Sequence, residues 1–243
     1  MCLGNGRCTH ERSDLLHALR RRERGLGALL PAMRQSPPRS GGREGQSDIR
    51  EVALETGKVK KATPIAPREF GEGLAIIGDR AYQLTWRGGR GHVYNAQTLA
   101  PIDSFAFEGE GWGLTSNGKT LLMTDGSSNV REIDPNGFKT LRTFQVTEAG
   151  KPVHFLNELE IVRGELWANI YQTDLIARID PSTGKVVGWI DVSKLLSDAE
   201  KTDVAQRGGT ANGIAFDPVR NRVLVTGKLW PRVFEIEIAN KPR

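Results

Sequence analysis

Four segments of the chain carry one apolar pattern, and each breaks at the same kind of polar turn. They begin at Gly73, Gly113, Glu158 and Gly213, offsets of 40, 45 and 55 residues. Short strands repeating with a period of roughly 40–50 residues predict the blades of a β-propeller. A fifth stretch supplies the outer half of one more blade. The sequence therefore predicts an all-β fold, a five-bladed β-propeller whose first blade is incomplete.

Each repeat follows one plan. An inner strand comes first: "GLAII", "WGLTS", "NELEIV", "NGIAF". A polar turn follows at Gly78-Asp79, Asn117-Gly118, Arg163-Gly164 or Arg220-Asn221, and turns of this kind between alternating strands mark hairpins. The second strands are "AYQLTW", "TLLMTD", "ELWANIY" and "RVLVTGK", and the third are "HVYN", "NVREID", "LIARID" and "RVFEIE". Two repeats continue through Asp134-Pro135 and Asp180-Pro181 into a fourth strand, whereas the last shows three strands and ends. "DIREVALETGKV" at 48–59 matches "LIARIDPSTGKV" at 175–186, so it reads as an outer half-blade.

Charge divides the chain differently. Residues 1–50 hold ten Arg, no Lys and five acidic residues, a net +5, while residues 51–243 hold 24 basic and 24 acidic residues. All sixteen Phe, Trp and Tyr lie at or after Phe70, and both cysteines, Cys2 and Cys8, lie in the first eight residues. The organisation read from this is a basic extension at 1–39, a propeller at 40–238 and a short tail at 239–243. Ser13 is placed to cap a short helix with Leu15, Leu16 and Leu19 on one face. Otherwise the composition of 1–39 is that of a disordered extension, or of GC-rich DNA read out of frame.

Several function classes drop out. Arg20-Arg21-Arg22 with Arg24 would suit an anionic partner, but five acids interrupt the run and the body is neutral, so no nucleic-acid partner is expected. C-x5-C with His10 lacks zinc-ligand spacing. No run approaches the roughly 18 apolar residues of a transmembrane helix. No apolar segment of secretory type follows the first basic residues, so no signal peptide is expected. Neither a Ser-His-Asp arrangement nor a phosphate-binding loop is present.

The candidate site comes from the repeats. In a propeller the inner strand lines the channel, and the start of an antiparallel strand lies beside the end of its partner. Inner-strand starts give Glu72, Trp112, Asn157 and Asn212; second-strand ends give Trp86, Asp125, Tyr171 and Lys228. The separations of 14, 13, 14 and 16 residues put all eight at one end of the channel. Aromatic walls with a few polar groups are the composition of a ligand pocket. Structural readings stay open beside this one: Asp125 as a turn residue, Asn157 and Asn212 as strand caps, Glu72 with Lys228 as an ion pair of the core.

"FGEG" at 70–73, "LTW" at 84–86, "EGWGLT" at 110–115, "TDGS" at 124–127, "LNELE" at 156–160, "IDPSTGKVVGWID" at 179–191, "NGIAFD" at 212–217 and "VTGKLWPRVFEI" at 225–236 resemble, in order, the plant and bacterial glutaminyl cyclases. The resemblance covers about residues 40–238. It implies a five-bladed propeller and cyclisation of an N-terminal Gln of a peptide or protein to pyroglutamate, with release of ammonia. It implies that Glu72 is the acid/base, that Asn157 and Lys228 are the polar and cationic site residues, and that Trp86 and Trp112 are pocket aromatics. Tyr171 falls where the family usually has Trp. No cofactor is implied as required, and the family allows a structural calcium in the channel. A monomer is the expectation, and localisation stays open because members are often exported. One departure is clear: the family's "FTQG"-like motif on the inner strand of its first blade has no counterpart here. The competing readings are a non-catalytic propeller that binds a peptide or protein, and a calcium-dependent sugar or lactone hydrolase, which would want more channel carboxylates.

Overall fold

Alternating apolar and polar residues in short runs let each strand bury one face and solvate the other. The computed structural model describes residues 19–21 and 47–238. Strand β1 (Leu19–Arg21) comes first, followed by β2 (Asp48–Val52) and β3 (Val59–Pro64), which pair with each other as a two-stranded sheet. The first four-stranded blade is β4 (Gly71–Ile77), β5 (Arg80–Thr85), β6 (Arg90–Asn95) and β7 (Pro101–Ala106). The second is β8 (Leu114–Ser116), β9 (Leu121–Met123), β10 (Asn129–Ile133) and β11 (Thr140–Gln145). A small hairpin, β12 (Thr147–Glu148) and β13 (Lys151–Pro152), leads to the third blade: β14 (Leu156–Val162), β15 (Glu165–Ile170), β16 (Leu175–Ile179) and β17 (Val186–Asp191). Helix α1 (Asp198–Gln206) precedes the last blade, β18 (Thr210–Asp217), β19 (Arg222–Lys228) and β20 (Phe234–Ile238).

Two differences from the sequence expectation stand out. Among the described residues the predicted five blades are corrected to four four-stranded blades, with the two-stranded sheet β2-β3 in place of the first and a separate small hairpin β12-β13. Among the described residues the expected first blade is represented by its outer pair, and the sequence before Asp48 offers no aromatic or alternating apolar run of the kind that builds inner strands. The last blade, which reads as three strands, has four. Its outer strand is β1, antiparallel to β20 with Leu19 opposite Ile238 and Arg21 opposite Ile236. Leu19 thus lies on a strand, not on the short helix the spacing suggested. The remainder of residues 1–39 lies outside the described residues.

Cores form between adjacent sheets. Ile49 of the two-stranded sheet, and Ile65 just past its end, pack on Ala81 and Tyr94 of the first four-stranded blade. Leu84 and Phe105 meet Leu114 and Met123; Leu122 and Val130 meet Leu156 and Leu166; Trp167 and Ile176 meet Ile214 and Val225. Helix α1 joins the last of these through Val204. Its start is fixed by a capping box in which the Ser197 hydroxyl accepts from the Glu200 N–H and the Glu200 carboxylate accepts from the Ser197 N–H.

One irregularity repeats. In β4 the register shifts between Gly71, opposite Thr85, and Leu74, opposite Gln83. In β14 it shifts between Leu156, opposite Ile170, and Leu159, opposite Ala168. In β18 it shifts between Ala211, opposite Gly227, and Ile214, opposite Val225. Each inner strand thus carries one extra residue at the same end, a β-bulge that re-aims side chains out of the ladder. The bulged pairs are Glu72-Gly73, Asn157-Glu158 and Asn212-Gly213. Just before β8, Trp112 and Gly113 both bond across to Thr124, so the second blade repeats the theme.

The bulges bring neighbouring inner strands into near contact, and glycine stands where they meet. A Cβ on Gly113 would lie 2.0 Å from the Asn157 carbonyl oxygen, and one on Gly73 would lie 2.5 Å from the Leu114 nitrogen. Gly113→Ala is therefore expected to destabilise the protein by about 1–3 kcal/mol, since neither backbone can yield locally. Chemical denaturation of the variant beside the wild type measures this.

Candidate active site

The eight predicted residues sit at matching strand starts and ends, and contacts join Glu72 to Lys228 and Trp112 to Tyr171. Glu72 and Asn157 are the second residues of β4 and β14, Asn212 is the third of β18, and Trp112 lies two residues before β8. Lys228 ends β19, and Trp86, Asp125 and Tyr171 stand just past the ends of β5, β9 and β15. Backbone bonds tie starts to ends: Trp86 N–H to Phe70 O, Trp112 N–H to Thr124 O, Tyr171 N–H to Phe155 O.

The polar centre is buried. Glu72 is 6% exposed and Asn157 3% exposed. Lys228 Nζ lies 3.4 Å from Glu72 Oε1 and donates to it, linking the first and last four-stranded blades across the channel end. Around this pair the inner strands are stitched together. Gly73 N–H donates to Trp112 O at 2.8 Å. The Thr124 hydroxyl accepts from Gly113 N–H at 2.9 Å and donates to Asn157 O at 2.7 Å. Asn212 Oδ1 accepts from Glu158 N–H at 3.4 Å, and Asn169 Oδ1 accepts from Gly213 N–H at 2.9 Å.

The aromatic residues form two edge-to-face pairs. The Trp112 and Tyr171 rings meet edge to face with centroids 5.3 Å apart, and Phe70 meets Trp86 edge-on at 6.2 Å. Both indole N–H groups donate to Glu110 Oε2 at 2.8 Å. The Asp125 carboxylate accepts from Ser127 N–H at 3.1 Å and from Arg131 at 3.4 Å. These contacts are those of a turn residue, the structural reading left open for it.

Four polar residues of this region escape a reading by strand starts and ends. Glu110 and Asn169 act as hydrogen-bond acceptors inside the assembly. Glu158 and Glu160 follow Asn157 on β14. Glu158 is 4% exposed, and burial, with the charges of Glu72 and Glu160, pushes its carboxyl up to about 8 against smaller opposing effects from the Leu159 N–H and Lys228. The sequence held a signal for it: in the repeat alignment Glu158 occupies the position of Gly73, Gly113 and Gly213. One blade thus places a carboxyl where three have no side chain. Glu160 accepts from Thr115 Oγ1 at 3.0 Å and from Phe216 N–H at 2.9 Å, and burial pushes it up to about 7.

Among the described residues no three His, Cys, Asp or Glu side chains group closely enough to hold a metal ion. Among the same residues no helix is long and apolar enough to cross a membrane.

The glutamine cyclotransferase family model matches residues 37–238. The chain belongs to the glutamine cyclotransferase family. It is 40% identical over 201 residues to a glutaminyl-peptide cyclotransferase of Arabidopsis thaliana, a match covering 82% of this chain and 62% of the relative. The chain thus spans under two thirds of that relative's length. The crystal structure of Myxococcus xanthus glutaminyl cyclase superposes with a TM-score of 0.72 at 35% identity, covering 80% of this chain and 84% of that one.

Glu158 and Glu160 make stability fall with rising pH. Each binds its proton more tightly when folded than at the ordinary carboxyl value of 4.5, so the folded state holds more protons between about 4.5 and 8. Their contribution is full below about 4.5 and is lost as pH rises through about 7 and 8. Glu160→Gln is expected to flatten part of that slope in thermal unfolding measured across pH 5–9, while keeping an acceptor for Phe216 N–H.

Proposed function

We propose that this chain is a glutaminyl-peptide cyclotransferase, converting an N-terminal Gln of a peptide or protein to pyroglutamate with release of ammonia. The observation that carries the reading is the pair of buried Glu72 and half-buried Lys228, with Asn157 and the Trp112–Tyr171 wall, in a chain of this family.

The chemistry needs three things. The substrate's α-amine must be neutral and must face its own γ-carboxamide carbon. The oxygen of that carboxamide becomes an oxyanion as the new C–N bond forms. A proton must then leave the attacking nitrogen and reach the departing one, so that the old C–N bond breaks with loss of ammonia. Ring closure joins two parts of one molecule, so holding the chain end in place supplies much of the acceleration. The aromatic wall does this and excludes water. Lys228 and Asn157 are the donors for the oxyanion. Glu72, paired with Lys228, takes the proton from the amine and returns it to the leaving nitrogen. Burial beside Glu72 raises the Glu158 carboxyl and so disfavours a second negative charge there. No step requires a metal ion.

The test is ammonia release from a Gln-initiated peptide. An Asn-initiated control should stay inert, because its closure would form a strained four-membered ring. Glu72→Gln should lose turnover by about 10²–10⁴-fold while keeping the fold. Near-wild-type cyclisation by that variant would remove Glu72 from this role. A propeller that only binds peptides would tolerate the substitution with little loss of affinity.

A further inference from the structure

We infer that Glu110 is a positioning residue of the pocket, one carboxylate that sets the orientation of both tryptophan walls. The inference rests on the reading of Trp86 and Trp112 as pocket walls. Glu110 lies on the connection between β7 and β8, outside both sets of strand termini that define the site. Its Oε2 accepts from Trp86 Nε1 and Trp112 Nε1, each at 2.8 Å, and its Oε1 accepts from Arg87 Nε at 3.1 Å.

The two tryptophans come from different blades: Trp86 follows β5 of the first and Trp112 leads into β8 of the second. Without a common anchor, a small shift between blades would change the gap between the rings. A carboxylate has room for about four hydrogen bonds, so one oxygen can serve both indoles while the other serves Arg87. The Trp112 N–H, then Trp86 and Arg87, hold this carboxyl below the ordinary range against a desolvation effect that opposes them. It is therefore an ionised, acceptor-only group at neutral pH.

An indole has one donor and no acceptor. With both N–H groups bound to Glu110, neither tryptophan has a hydrogen bond left for a ligand. The rings select by shape and apolar contact, and polar recognition falls to Glu72, Asn157 and Lys228. Trp112 is fixed at its other end too. A Cβ on Gly126 would lie 2.7 Å from its six-membered ring, and Tyr171 meets it edge-on. The Arg87 guanidinium lies 3.9 Å from the Trp86 ring centroid. Glu110 thus ties together a wall whose remaining supports are packing contacts.

Two conservative variants of the full chain separate positioning from charge. Glu110→Gln keeps the reach and one carbonyl acceptor but loses the charge. Glu110→Asp keeps the charge but is one methylene too short to meet both indoles. Positioning expects Glu110→Gln to stay within about threefold of wild type. It expects Glu110→Asp to raise KM by about tenfold or more with a smaller change in kcat, because misplaced binding groups are costly. The near-UV circular dichroism of the tryptophans should be kept in Gln and altered in Asp. The opposite order, or wild-type KM and spectra in both, overturns the inference. Trp112→Ala is measured in parallel. If it leaves turnover intact, the pocket reading falls and Glu110's role falls with it. If it raises KM while both Glu110 variants match wild type, the pocket stands and Glu110 alone is wrong.

Discussion

The site depends on a repeated β-bulge. Three inner strands each carry one extra residue at the same end, at Glu72-Gly73, Asn157-Glu158 and Asn212-Gly213. A regular strand would alternate its side chains between the two faces of the blade. The bulge breaks that alternation and re-aims a polar residue in each blade at the channel end. It also brings the inner strands close enough to bond to one another, as Gly73 does to Trp112 and Glu158 to Asn212. Gly73 and Gly113 are required because the backbones meet there with no space for a side chain.

That closeness has an electrostatic cost and an electrostatic use. Glu72, Asn157, Glu158, Asn169 and Asn212 are all buried, and burial penalises a charged or polar group that lacks partners. The structure answers with bonds: Lys228 to Glu72, Thr124 to the Asn157 carbonyl, Asn212 to the Glu158 N–H, Asn169 to the Gly213 N–H. Glu158 answers differently, by keeping its proton. The centre then contains the Lys228–Glu72 pair and one carboxyl whose proton burial holds more tightly. The same low-polarity surroundings that make these groups costly would strengthen their action on a developing oxyanion.

Much of this was legible because a hairpin fixes which residues face one another. The near-constant spacing from Glu72 to Trp86, Trp112 to Asp125 and Asn157 to Tyr171 is a property of the sequence, and antiparallel pairing turns it into proximity. The half-blade at 48–59 was legible for the same reason, by its match to 175–186. Strand β1 was not, because three residues carry no alternation and the partner, β20, lies at the far end of the chain. A helix-like spacing of leucines pointed the other way for Leu19. Glu110 was hidden because its significance is not in its own spacing. It sits in a connection and matters only once Trp86 and Trp112 come from two blades to one oxygen. Glu158 was visible as the odd residue in a column of glycines, but strand alternation alone puts it on the opposite face from Asn157. Only the bulge puts both at the site.

The central claim is that Glu72 and Lys228 act as one unit across the end of the channel. A double-mutant cycle on kcat/KM with a Gln-initiated peptide, using Glu72→Gln, Lys228→Met and the double variant, addresses it directly. The account expects strong non-additivity, with the double variant scarcely slower than the worse of the two single variants. Losses that simply multiply, or single variants that cyclise the peptide at the wild-type rate, would contradict it.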